Sequence, residues 1–362
     1  MLPRAYRVCG RSKQAWRFTS LGVTTARGCK TSVKESTNPT TTSTNSSSSW
    51  IDRSTSIPKA LKPYLHLARA DKQVGTLLLF WPCCWGAALH HLPSTLPDVV
   101  LLAKFAVGAL IMRGAGCTVN DMWDKDFDKH VERTKNRPLA SGQVTMPQAT
   151  AFLAAQLSCG LGVLLSFEVD TIVLGMASMP LVVAYPLMKR ITNWPQLFLG
   201  LTFNWGALVG YSAAAAAAGG GGVAAMNPGL LLPVLPMYAA GVCWTLVYDT
   251  LYGYQDRGDD KKLGLKSTSL HLGDEPQVAL SLIATGMLAG LGCSGAVAQL
   301  SPAFYVGISA VYSQLLWQIW TADVSLSAAG NDQGRKNLWI RFDSNKHVGA
   351  AVFASILLGR VI

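Results

Sequence analysis

The chain has 362 residues, of which 50% are hydrophobic and only 14% are charged, a composition too apolar for an ordinary soluble enzyme. Its formal net charge of +11 comes mostly from residues 1–34, which hold eight basic residues and no acidic one, so we expect no nucleic-acid partner. Apolar runs recur along most of the remaining length, and we therefore predict an all-α, polytopic membrane protein.

The first segment, residues 1–34, is rich in Arg, Ser and Thr and has no continuous apolar stretch. This composition is typical of a mitochondrial transit peptide rather than a secretory signal, with a plastid transit peptide as the alternative. Residues 35–58 form a low-complexity spacer that lacks the apolar content of a folded core, and we predict that it is disordered. The transmembrane domain is then expected over residues 59–362.

Apolar segments follow along the rest of the chain, and each is about as long as a bilayer-crossing helix requires, except the short last one. We count about nine, near residues 74–92, 98–117, 147–167, 171–187, 196–213, 229–248, 278–299, 302–320 and 347–361. Basic residues are concentrated before the first segment and in the loops after the second, fourth, sixth and eighth, with Lys104 and Arg360 as exceptions. These loops therefore share one side of the membrane. If the leader assignment holds, that side is the matrix side of the mitochondrial inner membrane.

The second apolar segment runs directly into an acidic cluster. If the helix continues, Asp121, Asp124 and Asp128 fall at positions i, i+3 and i+7 on one face. Asn120 joins that face. A carboxylate beside a membrane core is costly and usually functional. For one cluster alone, a solvated helix end would be an equal alternative.

The sixth apolar segment ends in a second acidic cluster. Asp256 and Asp260 form an i, i+4 pair there, and Asp249 precedes Asp256 by seven residues. Because both clusters follow apolar segments on the same side, we predict one shared site for Mg²⁺, which takes one or two carboxylates together with substrate phosphates. Neither cluster has the spacing of a calcium-binding EF-hand loop. The eight Cys contain no C-x-x-C pair of the kind that binds zinc.

Basic residues near the same side can supply the cationic contacts that a diphosphate needs. Lys189 and Arg190 lie at the end of the fourth segment, just after Tyr185. Arg69 and Lys72 precede the first segment, and either reach the same site or anchor the chain at the membrane interface.

Arg113 lies within the second segment, seven residues before Asn120 and two helical turns deeper. A guanidinium in that position needs an anionic partner. The partner is either a substrate carboxylate or, as the structural alternative, one of the Asp residues in an ion pair.

The residues around both clusters resemble the two signatures of the UbiA superfamily of intramembrane prenyltransferases. The first is N-D-x-x-D-x-x-x-D, which begins at Asn120 and continues to Arg137, and the second is Y-D-T-x-Y-x-x-x-D-x-x-D-D, which begins at Tyr248. The second signature, together with R-x-D-K-x-x-G-T from Arg69 and F-W-P from Phe80, resembles the 4-hydroxybenzoate polyprenyltransferase branch in particular. The resemblance covers about residues 60–345.

The resemblance implies nine transmembrane helices around a central cavity, capped on one side by the loops after helices 2 and 6. The implied reaction moves a polyprenyl group from polyprenyl diphosphate to the ring carbon ortho to the hydroxyl of 4-hydroxybenzoate, with release of diphosphate, in ubiquinone biosynthesis. Mg²⁺ is the implied cofactor. The expected partners are these two substrates and membrane lipid, and a ubiquinone-biosynthesis complex is a further candidate.

Carried over residue by residue, the resemblance assigns catalytic and metal-binding roles to Asp121, Asp124, Asp256 and Asp260, with Asn120 as a further metal ligand. The residues expected to contact substrate are Arg69, Lys72, Arg113, Asn120, Asp128, Arg137, Tyr185, Lys189, Arg190 and Asp249. Lys189 and Arg190 would steady the leaving diphosphate. Arg113 and Arg69 are the candidates for the benzoate carboxylate.

Two other functions stay open on the sequence. A related prenyltransferase with another acceptor, such as haem, homogentisate or a naphthoate, would keep the metal site and change the pocket. An ion-coupled transporter would also place acidic residues in the membrane, although transporters rarely gather so many at one face. Release of diphosphate that depends on Mg²⁺ distinguishes an enzyme from a transporter.

Overall fold

The structure is a computed structural model that describes residues 49–90, 97–130, 134–219, 231–328 and 330–361. The predicted transit peptide and most of the predicted spacer lie outside the described residues. Within the described part, every regular element is a helix, which confirms the all-α class. The last residues of the predicted spacer contain the short helix Trp50–Arg53, in which Ile51 is fully buried.

The long helices are labelled α1 to α9 in chain order. They are Gln73–His90, Val99–Trp123, Met146–Leu164, the interrupted helix Val169–Ile191, Pro195–Ala217, Leu235–Gly253, Gln277–Val297, Pro302–Trp320 and Asp332–Val361. The other short helices are Lys62–Leu67, Lys125–Asp128, Arg257–Lys262, Thr268–Leu272 and Val324–Ala328. Among the described residues, α2, α4, α5 and α7 are long and apolar enough to cross a membrane.

Prolines divide the predicted fourth segment into shorter pieces. Helix α4 consists of Val169–Met176, Met179–Ala184 and Met188–Ile191, with a 3₁₀ turn at Tyr185–Leu187 before the last piece. Pro180 lies in the first turn of the second piece, and Pro186 lies in the 3₁₀ turn, because proline lacks the N–H that a continuous α-helix requires.

The last helix is much longer than the apolar segment predicted at 347–361. Helix α9 begins at Asp332, and its polar first half is held by buried hydrogen bonds. Asn345 accepts a hydrogen bond from Nε1 of Trp244 at 2.8 Å and donates one to Gln318 at 3.1 Å. Hydropathy does not detect this half, because polar contacts rather than apolar burial stabilise it.

The helices break at both acidic clusters, so the assumption that α2 continues to residue 128 is wrong. Helix α2 ends at Trp123, and Asp124 caps it in a non-helical conformation before the short helix Lys125–Asp128 begins. In the same way, α6 ends at Gly253, and Asp256 lies at the start of the short helix that follows. The acidic residues therefore lie on helix ends and caps instead of on single continuous faces.

Close packing fixes α1 against its neighbours, α5 and α9. A β-carbon added at Gly86 would lie 2.8 Å from the carbonyl carbon of Ala207 and from the backbone nitrogen of Tyr211 on α5. Nε1 of Trp85 donates to the carbonyl of Gly349 on α9 at 2.8 Å. Because the first turns of α1 line the main cavity, these contacts also position one wall of the site.

We expect Gly86→Ala to lower the stability of the folded protein. The added methyl meets backbone atoms of α5 that no side-chain movement can displace, and overpacking of this kind typically costs about 1–3 kcal/mol. The apparent unfolding temperature of the purified protein in detergent measures the change. Gly292→Ala is the matched control, because an added β-carbon there meets nothing within 4 Å. Equal unfolding temperatures for the two variants would contradict the proposed backbone contact.

Candidate active site

Two adjoining cavities contain the predicted site. The larger has a volume of about 680 Å³ and the smaller about 90 Å³. Residues of α1 to α6 and of α9 line the larger cavity, whereas none of its described lining residues lies on α7 or α8. The smaller cavity lies among the breaks that follow α2 and α6.

The structure brings all of the predicted site residues to these two cavities. The larger is lined by Arg69, Lys72, Arg113, Asn120, Asp121, Arg137, Tyr185, Lys189, Asp249, Asp256 and Asp260. The smaller is lined by Asp124, Asp128 and Arg190, together with Asn120, Arg137, Lys189, Asp256 and Asp260, which line both. The two acidic clusters, which are far apart in the chain, therefore share one site wall.

Asp121 is the most buried acid of the site, with only 1% of its surface exposed. Nη2 of Arg69 donates to its two carboxylate oxygens at 2.9 and 3.2 Å. Nη1 of Arg137 donates to Asp121 at 3.1 Å and to Asp128 at 2.8 Å. A buried carboxylate is costly unless it is paired, so the two arginines are needed to hold Asp121 in place as an anion.

Arg69 holds this position through an unusual backbone conformation, with a φ of 56°. It follows the short helix before α1, where its N–H donates to the carbonyl of His66 at 3.1 Å. The N–H of Ala70 donates to the carbonyl of Leu65 at 3.0 Å, which completes a Schellman motif. Glycine is the usual residue at the left-handed position of this motif. The ion pair with Asp121 gives a reason for an arginine there.

Arg113 differs from Arg69 and Arg137, which both pair with Asp121. Within the described residues it forms no ion pair, and its buried Nε has no hydrogen-bond partner. Its side chain lines the larger cavity beside Gly75. The structural alternative, an ion pair with one of the Asp residues, is therefore not found among the described residues, and the guanidinium has donors left for a ligand.

Lys189 lies between the two acidic clusters. It is close enough to Asp124, Asp256 and Asp260 for direct electrostatic interaction with all three. Its backbone is tied to the loop after α6, because the N–H of Lys266 donates to the carbonyl of Lys189 at 2.8 Å. One cation on the last turn of α4 thus links the acids of both clusters.

Asp124 lines the smaller cavity, where burial and neighbouring charges change the pKa of its carboxyl group. Burial raises the pKa of its carboxyl group above the ordinary value, and the positive charge of Lys189 opposes that effect. The neighbouring carboxylate of Asp128 adds to the rise. A further cation at this place would favour the ionised form of Asp124.

The lining also suits a hard metal ion. Within the described part of the chain, no three His, Cys, Asp or Glu side chains approach closely enough to form a ready-made metal site. Mg²⁺ does not require one, because it commonly takes one or two protein carboxylates and completes its shell with waters and substrate phosphates. The oxygen donors of the two cavities fit that mode of binding better than the closed sites preferred by zinc.

Sequence reasoning missed an aromatic group in the lining of the larger cavity. Tyr252 packs on Phe342 with their ring centroids 4.4 Å apart, and Nζ of Lys72 lies 5.3 Å from the ring centroid of Trp339. All four residues line the cavity. Trp339 and Phe342 belong to the polar first half of α9. Because that half has no apolar run, the sequence did not predict a membrane helix there or its aromatic residues.

Comparisons with known proteins show which sequences this chain resembles. The model of the UbiA prenyltransferase family matches residues 79–331. The chain is 48% identical over 312 residues to the mitochondrial 4-hydroxybenzoate polyprenyltransferase of Arabidopsis thaliana, covering 86% of this chain and 72% of that protein. It is 45% identical over 306 residues to the protein of that name from Rattus norvegicus, covering 84% and 77%.

Solved structures show the same fold. A UbiA homolog from Aeropyrum pernix K1 superimposes with a TM-score of 0.62 at 23% identity, covering 78% of this chain and 97% of that one. A UbiA homolog from Archaeoglobus fulgidus bound to GPP and Mg²⁺ superimposes with a TM-score of 0.53 at 16% identity, covering 81% and 99%.

We expect Arg69→Gly to be more stable than Arg69→Ala. Both variants lose the ion pair with Asp121, but only alanine keeps the steric cost of a left-handed conformation, which is about 1 kcal/mol or more. Thermal or denaturant unfolding of the two purified variants measures the difference. An alanine variant as stable as the glycine variant would show that position 69 carries no such strain.

Proposed function

Because this chain belongs to the UbiA prenyltransferase family, we propose that it transfers a polyprenyl group to 4-hydroxybenzoate in ubiquinone biosynthesis. In the proposed reaction the C–O bond of polyprenyl diphosphate breaks, a bond forms to the ring carbon ortho to the hydroxyl, and diphosphate and the ring proton leave. The observation that carries the proposal is the convergence of both acidic clusters and the guanidinium of Arg113 on one membrane cavity. The names of the similar proteins support the choice of acceptor.

The names of the relatives and the apolar helices support a mitochondrial membrane protein. We further propose the inner membrane, nine transmembrane helices and an active site that faces the matrix. The concentration of basic residues in the loops on the side of the acidic clusters supports this orientation.

The diphosphate end of the site lies where the two cavities meet. The residues that would hold Mg²⁺ are Asn120, Asp121, Asp124, Asp256 and Asp260. When bound, this ion would supply positive charge to the departing diphosphate. Lys189 and Arg190 line the smaller cavity and would neutralise the remaining phosphate charge. Arg69 and Arg137 hold Asp121 in the orientation that the site requires.

The acceptor end of the site is assigned to Arg113. Both arginine candidates line the larger cavity, but Nη2 of Arg69 already binds the carboxylate of Asp121. Arg113 keeps free donors and can bind a benzoate carboxylate with two parallel hydrogen bonds. This contact would orient the phenol ring toward the diphosphate end.

The apolar part of the cavity would protect the reaction from water. The wall away from the acidic clusters contains Phe105, Leu164 and Phe203. An allylic cation that forms as diphosphate leaves would be quenched by water, so exclusion of water favours attack by the electron-rich ring. The same wall suits a polyprenyl tail, which has little tendency to leave an apolar environment.

The test is a reaction of purified full-length protein with a prenyl diphosphate, Mg²⁺ and a panel of aromatic acceptors. We expect a product with the mass of prenylated 4-hydroxybenzoate and one diphosphate released for each product. A product formed only from homogentisate or a naphthoate would replace the acceptor and keep the reaction class. Absence of diphosphate release with every acceptor would reject the proposed activity.

We expect Asp256→Ala to reduce turnover about a hundredfold or more, because loss of a contact that stabilises transition-state charge typically has that effect. Initial rates of product formation at saturating substrates measure the change. Asp126→Ala is the matched control, since that side chain is 84% exposed and pairs only locally with Lys129. Asp121→Asn should lose activity to a similar extent. More than about a tenth of the original rate in either site variant would refute a shared metal site.

We expect Arg113→Ala to raise KM for 4-hydroxybenzoate roughly thirty- to a thousandfold, since a charged hydrogen bond in a dry site contributes about 2–4 kcal/mol. KM for the prenyl diphosphate should change much less. Arg113→Lys should restore binding only in part, because a point charge does not reproduce the two-pronged contact. A shift confined to the prenyl diphosphate or to the Mg²⁺ requirement would place Arg113 at the diphosphate end instead.

A further inference from the structure

The contact between Gly75 and Arg113 is not explained by the roles assigned above. Gly75 is buried in the first turn of α1, and Arg113 reaches it from α2. A β-carbon added at Gly75 would lie closest to Nε of Arg113 and 2.8 Å from both Cζ and Nη2. The three nearest atoms belong to one guanidinium, which therefore occupies the space that any side chain at position 75 would fill.

We propose that Gly75 is a positioning residue that places the guanidinium of Arg113 for the carboxylate of the aromatic acceptor. The inference rests on the proposed function, in which Arg113 binds that carboxylate. Both residues line the larger cavity, so their contact fixes the guanidinium against the cavity wall. A long side chain held on one surface loses fewer rotamers when its ligand binds.

The electrostatics of the contact favour an anionic ligand. The first N–H groups of a helix have no partner within the helix and carry partial positive charge. A guanidinium against the first turn of α1 adds a full positive charge to that place. Within the described residues Nε of Arg113 is buried without a hydrogen-bond partner. The carboxylate of Asp249 interacts with this side chain electrostatically, but none of the ion pairs among the described residues includes Arg113. A carboxylate bound to the guanidinium beside this helix end would be stabilised by both positive charges.

The same contact bears on the selection of the acceptor. A planar guanidinium binds a planar carboxylate well only when the two are correctly aligned. Position 75 controls this alignment, because even one methyl group there would push the guanidinium away from α1. Gly75 would thus set the distance between the acceptor ring and the diphosphate end.

The direct test is Gly75→Ala in the full-length protein. The atoms that the methyl meets are the end of a flexible side chain, so we expect the variant to fold and Arg113 to move. KM for 4-hydroxybenzoate should rise about ten- to a hundredfold, the effect typical of a displacement of about 1 Å. KM for the prenyl diphosphate should stay within about twofold of its original value. Gly292→Ala, which adds a methyl in open space, should change neither constant.

A double variant separates this role from a direct effect of the methyl group on substrate. If Gly75 acts through Arg113, then Gly75→Ala should cause no further rise in KM when Arg113 is already alanine. A further rise as large as that seen in the wild-type background would overturn the inference. If the single variant unfolds, the double variant should restore folding because it removes the clash. A double variant that also unfolds would overturn the inference as well.

The single variants distinguish failure of this inference from failure of the proposed function. A raised KM for 4-hydroxybenzoate in Arg113→Ala but not in Gly75→Ala would overturn the role of Gly75 alone. An unchanged KM in Arg113→Ala would overturn the acceptor role of Arg113 and the inference with it. Absence of prenyl transfer by the wild-type protein would overturn the proposed function itself.

Discussion

The site depends on one buried charge cluster, in which Asp121 is held by two arginines. Arg69 comes from the stretch before α1, Asp121 from the end of α2, and Arg137 from the loop that follows it. Breaking such a buried cluster leaves an uncompensated charge, which typically costs about 3–5 kcal/mol. The cluster therefore fixes three separate parts of the chain around the position where diphosphate chemistry is proposed.

Two glycines of helix α1 allow close contacts that position the wall of the site formed by that helix. Gly86 brings α1 into backbone contact with α5, and Gly75 brings the side chain of Arg113 against α1. Both contacts exist because a β-carbon is missing, and both act on the same helix. Helix α1 is thus fixed by backbone packing at Gly86 in its second half, and its first turn receives the guanidinium of Arg113 at Gly75. A rigid helix with this one contact is suited to place a long arginine accurately.

The sequence allowed prediction of the acidic and basic residues of the site, because charged side chains beside apolar runs are costly and are usually functional. It did not allow prediction of the breaks at Asp124 and Asp256, since a pattern of spacing does not show where a helix ends. The helical start at Asp332 and the cavity aromatic Trp339 were missed because their half of α9 is stabilised by polar contacts. The left-handed conformation at position 69 comes from the local Schellman motif, but the presence of arginine there instead of glycine is a tertiary effect that only the position of its partner Asp121 explains.

The larger cavity is long, and its polar and apolar parts are separated along its length in a way that suits a reaction of a lipid-like substrate in a membrane. Its lining extends along α2 from Asp121 to Lys104, a separation of 17 residues or roughly 25 Å of helix, which is most of the hydrocarbon thickness of a bilayer. The charged groups that are proposed to bind diphosphate lie at one end. At the other end Phe105 stacks on Phe167, and Nζ of Lys104 donates to the carbonyl of Ser166. Between them the walls are largely apolar, so in the proposed reaction a lipid-like substrate would keep its tail in an apolar environment while its diphosphate reaches the acids. The break after α2 completes this separation, because it turns Asp124 and Asp128 toward the smaller cavity and leaves Asp121 in the lining of the larger one.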